Sequence, residues 1–122
     1  MKKLTNVTNK PWGRFYDFAE SKGKWRLKLL VIKKGRRLSL QKHAKRRELW
    51  IIAEGKVRVQ KGDTLYTLSS KKTIFIEKEE IHRITALTDA VIVEVTFGSH
   101  RERDTIRLAD DYGRSDKKKT RK

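Results

Sequence analysis

Short runs of strand-forming residues recur along this chain, each closed by a turn signal, and no helical period holds over any long window. The runs fall at residues 14–18, 25–33, 38–43, 48–53, 56–60, 64–68, 73–76, 81–87 and 90–97. Between them stand Ser21-Lys22-Gly23, Lys34-Gly35, Glu54-Gly55, Lys61-Gly62-Asp63, the loop 69–72 and Thr88-Asp89. Strands at this spacing predict an all-β sandwich or barrel. At 122 residues the chain is expected to form one domain over 1–114 with one modest core. Beyond Arg101 the alternation weakens, and a short helix or an extended wrap-around segment both fit.

The formal charge of +17, from 32 Lys and Arg against 15 Asp and Glu, invites a polyanion-binding reading. Alternation accounts for much of that excess. In Lys24-Trp25-Arg26-Leu27-Lys28-Leu29 the basic side chains share one face and the apolar ones the other, as on a half-buried strand with Trp25 in the core. Residues 115–122 are mostly basic and read as a solvated, disordered tail. No stretch interleaves aromatic and basic residues as a nucleic-acid module does, so nucleic acid ranks last among partners. Without Cys there is no disulfide or thiolate chemistry. No apolar run approaches the roughly 20 residues of a membrane span, and the N-terminus lacks the apolar segment of a secretory signal. No membrane association is expected, and the cytoplasm is the expected location.

The chemistry concentrates between Gly35 and Gly55 and at His82. Gln41 and His43 stand two apart, so a strand points them to one face. Glu48 opens the next apolar, β-branched run, and His82 lies in a later strand. Oxygen and nitrogen donors of these types suit a borderline divalent cation, Zn²⁺ first, with Mn²⁺, Co²⁺ or Fe²⁺ as alternatives. The bland counter-reading gives Glu48 an ion pair with Arg46 or Arg47 and leaves the histidines structural. His100 reads as an exposed loop residue. Trp12 and Trp50 read as packing residues.

The run Gly35 … Gln41-Lys42-His43 … Arg46-Arg47-Glu48-Leu49-Trp50 … Gly55 resembles the first cupin motif, with Gln41 where most cupins have a first His. In that form it resembles the type II phosphomannose isomerases, the isomerase half of enzymes that fuse mannose-1-phosphate guanylyltransferase to mannose-6-phosphate isomerase. Lys10-Pro11-Trp12-Gly13 is similar to the opening of that domain, and Ile81-His82-Arg83-Ile84 to its second motif. The stretch from Asp104 through Arg107, Asp110 and Tyr112-Gly113-Arg114 is similar to its close. The likeness implies a single-domain cupin, a double-stranded β-helix or jelly-roll barrel, that usually pairs as a homodimer. It implies one divalent metal held by Gln41, His43, Glu48 and His82, and interconversion of mannose 6-phosphate and fructose 6-phosphate. Arg46, Arg83, Arg107 and Arg114 match arginines of the resembled motifs, and their planar forks suit a sugar phosphate. Lys28 and Lys42 join them only if they face the barrel mouth. Asp110 and Tyr112 are expected to anchor the C-terminal segment. The catalytic base is not identified.

The chain departs from the family before His82. Glu77 stands for a Pro and Glu79 for a Gly whose φ is normally positive. The likeness does not extend to the guanylyltransferase half, so it implies no nucleotide-sugar synthesis. Two other classes remain: a non-catalytic metal-binding cupin for a sugar or another anionic small molecule, and a polyanion-binding protein.

Overall fold

The computed structural model describes residues 1–99 and 104–114. Among these the chain forms β1 (Lys2–Lys10), β2 (Gly13–Ser21), β3 (Trp25–Ile32), β4 (Leu40–His43), β5 (Arg46–Glu54), β6 (Lys56–Lys61), β7 (Thr64–Ser69), β8 (Thr73–Ile76), β9 (His82–Ala86), β10 (Ala90–Gly98) and β11 (Thr105–Ala109). They make a 6-stranded sheet in the order β1-β2-β3-β10-β5-β8 and a 5-stranded sheet in the order β11-β4-β9-β6-β7. Every strand pairing is antiparallel. Sequence-distant strands lie side by side, as β10 does between β3 and β5, which is the jelly-roll solution for a chain that must bury one face of each sheet. No helix among the described residues is long and apolar enough to cross a membrane.

Alternation fixes which side chains enter the space between the sheets. Along β10, Ala90, Ile92, Glu94 and Thr96 are buried and the residues between them are not. β5 buries Arg46, Glu48, Trp50 and Ile52, and β9 buries His82, Ile84 and Ala86. On each of these strands the inward face changes along its length from apolar to polar. Ile52, Ile84, Ala86, Ala90 and Ile92 join Trp12, Leu30, Ile32, Val57, Val59, Ile74 and Ile76 in one apolar core. Arg46, Glu48, His82, Glu94 and Thr96 continue the same faces as a polar end of the sandwich. The registers Ile92↔Ile52, Glu94↔Trp50 and Thr96↔Glu48 keep those two zones level across β10 and β5.

Two features differ from the sequence reading, and one alternative that it left open is decided. β1, rich in Lys and Asn, has no counterpart there; it is an edge strand held by its pairing with β2. The segment after Arg101 resolves in favour of the extended alternative, since β11 pairs with β4. Trp25 is half-buried at the start of β3 and does not belong to the core cluster. The tail 115–122 and His100 lie outside the described residues.

One turn shows how little slack the sandwich has. Gly55, between β5 and β6, has φ +86°, and a Cβ there would run into the Asp89 carbonyl oxygen. Gly55→Ala combines left-handed strain with a backbone clash and is expected to cost about 3 kcal/mol. A denaturant midpoint unchanged from wild type would refute that cost.

Candidate metal centre

Both sheets contribute to the polar end. Glu48 enters from β5, while His43 and Gln41 come from β4 and His82 from β9. Gln41 sits opposite His82 in the ladder on one side and opposite Arg107 on the other, and His43 sits opposite Thr105. Ligand atoms of His43, Glu48 and His82 all lie within 4.8 Å of one another, and all three residues are buried. His43 Nε2 is 3.3 Å from Glu48 Oε2, and His82 Nε2 is 3.9 Å from Glu48 Oε1. The imidazole rings lie 5.0 Å apart, centroid to centroid.

The tautomer of each histidine follows from its partners. His82 Nδ1 lies 2.8 Å from the Glu80 carbonyl oxygen. A carbonyl only accepts, so Nδ1 carries the proton and the Nε2 lone pair points inward. That Nε2 is buried and has no hydrogen-bond partner. Arg46 Nη2 donates to His43 Nε2 at 3.1 Å, so on a neutral ring His43 Nδ1–H donates to Thr105 Oγ1 at 3.2 Å. Outward Nδ1–H and inward Nε2 is the arrangement by which oxygens hydrogen-bonded to the far side of the ring prepare a histidine for a metal. Trp50 Nε1 donates to Glu48 Oε1 at 3.1 Å and orients that carboxylate. The three converging donors and the unpartnered Nε2 of His82 therefore fit a divalent cation, and Gln41 stands opposite His82 in the ladder. Ser39 Oγ donates to the Gln41 amide oxygen at 3.0 Å.

Arg46 meets both readings made of it in the sequence, beside Glu48 and in the cavity lining. Its Nη2 lies 2.8 Å from Glu48 Oε2, realising the ion pair of the bland reading. The His43 Nε2 lone pair cannot serve Arg46 and a cation together, so the two compete for it. Arg46 also lines a cavity of about 530 Å³, a size typical of small-molecule sites, which run to roughly 300–1,000 Å³. Gln41, Ser39, Glu94, Thr105 and Arg107 line it too. So do Lys10, Arg26, Lys28 and Arg114, which with Arg46 and Arg107 outweigh the acids Asp17 and Glu94 and leave the cavity cationic. Lys28 Nζ sits 4.5 Å from the centroid of Phe15, another lining residue.

The expected arginines thus divide. Arg107 and Arg114 reach the cavity, Arg114 with its guanidinium hydrogen-bonded to Asp110 at 3.0 and 3.1 Å. Arg83 does not line it: Nε donates to the Leu38 carbonyl and Nη2 to the Ala109 carbonyl, which clips β11 onto the sheet. Lys42 pairs with Glu79 at 3.6 Å and stays outside the lining. Asp110 anchors the C-terminal turn by accepting from the Tyr112 and Arg114 amides.

The altered second motif keeps its turn. Glu79 itself adopts φ +64°, the conformation a Gly would supply, and its amide donates to the His43 carbonyl at 2.7 Å. That bond ties the loop before His82 to the strand carrying His43, which offsets the strain of a left-handed Glu. Residues missed from sequence are Glu94, Thr105 and Lys10. The signal for Glu94 was present: it is a carboxylate at the inward phase of the otherwise apolar run 90–97.

Burial pushes the His43 imidazole down to about 2, with Arg46, His82, Lys28 and Arg107 adding in the same direction. Burial takes His82 down to about 4, against the opposing Glu80 carbonyl. Both are neutral at pH 7, with the His82 Nε2 lone pair open and the His43 one held by Arg46. Burial and then the Glu48 charge push Glu94 up, with Lys28 and Arg46 opposing. Because both histidines titrate below their ordinary 6.5, acid protonates the unfolded chain first. The metal-free protein is therefore expected to lose stability as pH falls from about 6.5 through 4, more steeply than a His43→Gln, His82→Gln variant. Parallel Tm–pH curves for the two proteins would contradict this.

The profile of the family described as mannose-6-phosphate isomerase C-terminal matches residues 1–111. The alginate biosynthesis protein AlgA of Pseudomonas aeruginosa is 36% identical over 109 residues, covering 87% of this chain and 22% of that protein. The xanthan biosynthesis protein XanB of Xanthomonas campestris is 33% identical over 109 residues, covering 87% of this chain and 23% of XanB. The mannose-1-phosphate guanylyltransferase RfbM of Salmonella typhimurium is 31% identical over 107 residues, covering 85% of this chain and 22% of RfbM. The chain thus spans under a quarter of the length of the relatives it matches. Among solved structures, KdgF from Halomonas superposes with a TM-score of 0.75 at 12% identity, covering 84% of this chain and 97% of KdgF. An RmlC-like cupin from Shewanella frigidimarina gives 0.74 at 12% identity, over 81% of this chain and 88% of that one. Identities this low speak for the fold alone, which is the cupin fold. With the profile covering nearly the whole described chain, and a relative 36% identical over 87% of it, the chain belongs to the mannose-6-phosphate isomerase C-terminal family.

Proposed function

We propose that this domain is a metal-dependent aldose–ketose isomerase that interconverts mannose 6-phosphate and fructose 6-phosphate. The observation that carries the reading is the juxtaposition of a buried His43–Glu48–His82 cluster with a cationic cavity of hexose-phosphate size. His43, Glu48, His82 and Gln41 would hold the cation, Zn²⁺ first. Bound there, a divalent cation supplies Lewis-acid polarisation of the sugar carbonyl and electrostatic stabilisation of the developing oxyanion.

The remaining work falls to the chain. Arg107 presents a guanidinium fork to the phosphate, and Arg114, oriented by Asp110, supports it. Lys28, seated against Phe15, adds positive potential that draws the dianion in. Anchoring the phosphate away from C1 and C2 commits binding energy to positioning the reacting carbons. Arg46 answers the Glu48 charge until a cation takes that place.

The test is turnover of mannose 6-phosphate by protein loaded in turn with Zn²⁺, Mn²⁺, Co²⁺ and Fe²⁺. Activity is expected to vanish on chelation and to return with metal, and the His43→Ala, His82→Ala variant is expected to lose both metal and activity. Arg107→Ala is expected to lower kcat/KM by roughly 30- to 150-fold, the equivalent of about 2–3 kcal/mol for a lost charged hydrogen bond. Arg107→Lys should recover little. Lys71→Ala, exposed and outside the cavity lining, should change nothing. A metal-replete protein without turnover would return the domain to the binding-module class. Equal small losses in Arg107→Ala and Lys71→Ala would leave only bulk electrostatic attraction.

A further inference from the structure

Glu94 is neither one of the converging donors nor one of the proposed phosphate-binding residues, yet its position is costly. It lies inward on β10, is 6% exposed and lines the cavity. Its one hydrogen bond is from Thr96 Oγ1 at 3.5 Å, the long limit for such a contact, and among the described residues no basic side chain forms an ion pair with it. A buried carboxylate held by one long hydrogen bond and no ion pair carries a large desolvation cost, and an apolar residue would pack the same place without that penalty. Glu94 is also not part of the cluster whose ligand atoms converge, which comprises His43, Glu48 and His82. Thr96 faces Glu48 directly across β10 and β5, and Glu94 is one inward step further along the strand. Two residues of strand span about 7 Å. Glu94 lines the same cavity as Arg46, whose guanidinium contacts both His43 and Glu48, so a sugar in that cavity would meet the Glu94 carboxylate beside the donor cluster.

We propose that the Glu94 carboxylate carries the proton between C1 and C2 of the sugar substrate, a role that rests on the isomerase reading above. In the aldose-to-ketose direction Glu94 removes the proton from C2. The C2–H electron pair becomes the C1=C2 double bond, and the carbonyl π pair moves to O1. The O2 proton then passes to O1 across the cis-enediol, which breaks the O2–H bond, forms the O1–H bond and leaves the negative charge on O2. The new C2=O2 double bond forms as C1 takes the proton back from the Glu94 carboxylic acid. C1 is reduced and C2 oxidised within one molecule, so no co-reactant enters. One carboxylate serves both carbons because both hydrogens lie on the same face of a cis-enediol. Arg46 and Lys28, also in the cavity lining, hold the charge balance as Glu94 changes protonation state.

The test uses the metal-loaded, full-length chain as wild type, Glu94→Gln and Glu94→Asp. Glu94→Gln is expected to keep full metal stoichiometry by elemental analysis, to bind a non-reacting hexitol phosphate within about threefold of wild type, and to melt no lower than wild type. Its kcat is expected to fall by roughly 10²–10⁴, the span of general base catalysis. Wild type in D₂O should place deuterium at C1 of the ketose, and Glu94→Gln should lose that exchange in step with turnover. Glu94→Asp, which withdraws the carboxylate without removing it, should fall between the two. Turnover by Glu94→Gln within about tenfold of wild type would overturn the proposal, as would loss of metal in proportion to activity, which would make Glu94 a support of the centre. A wild type inactive with every metal would instead sink the isomerase reading, and this role with it.

Discussion

Everything at the polar end depends on two buried imidazoles held neutral with their protons pointed outward. His82 is fixed by the Glu80 carbonyl and His43 by Thr105, so each Nε2 lone pair faces the same small space beside Glu48. Burial would make protonated rings expensive, and the neighbouring cations Arg46 and Lys28 add to that cost. The result is a preorganised donor set whose strength is a property of the fold: β4, β5 and β9 must be in register for the lone pairs to meet. The long-range pairing of Glu79 N–H with the His43 carbonyl shows the same economy, because one hydrogen bond both closes the turn and joins the two ligand-bearing segments.

The sandwich separates stability from chemistry along the strand axis. One end is filled by Trp12, Trp50 and a layer of Ile and Val side chains; the other carries buried Asp17, Arg46, Glu48 and Glu94. Buried charges are tolerated where they are paired, as in Arg46–Glu48 and Arg26–Asp17 at 3.1 Å. Glu94 stands outside such pairing. A buried carboxylate that faces a cavity with one long hydrogen bond is the kind of local cost that functional sites retain and packing alone does not explain.

Much of this was legible in the sequence because it is written in periodicity and residue type. The two-residue step from Gln41 to His43 placed those two on one face, and donor type with the likeness to the cupin motifs joined Glu48 and His82 to them, of which His43, Glu48 and His82 converge. What escaped has physical reasons. β1 is held by pairing with β2, and its Lys- and Asn-rich sequence carries little intrinsic strand preference. Arg83 matched a motif position, but whether a guanidinium faces a ligand or a carbonyl depends on where β11 docks, and that is tertiary information. Glu79 shows the reverse case: a residue that fits its φ poorly still takes it, because the hydrogen bond to His43 outweighs the local preference.

The central claim is that Gln41, His43, Glu48 and His82 form one cation site that Arg46 vacates on loading. Anomalous diffraction from a zinc-loaded crystal, collected on both sides of the zinc edge, tests it most directly. The account predicts a single strong peak at about 2.0–2.2 Å from His43 Nε2, His82 Nε2 and a Glu48 oxygen. The Gln41 amide oxygen should complete the site, and Arg46 should be withdrawn from His43 Nε2. A peak elsewhere, or a guanidinium still bonded to His43 Nε2 beside a fully occupied ion, would contradict it.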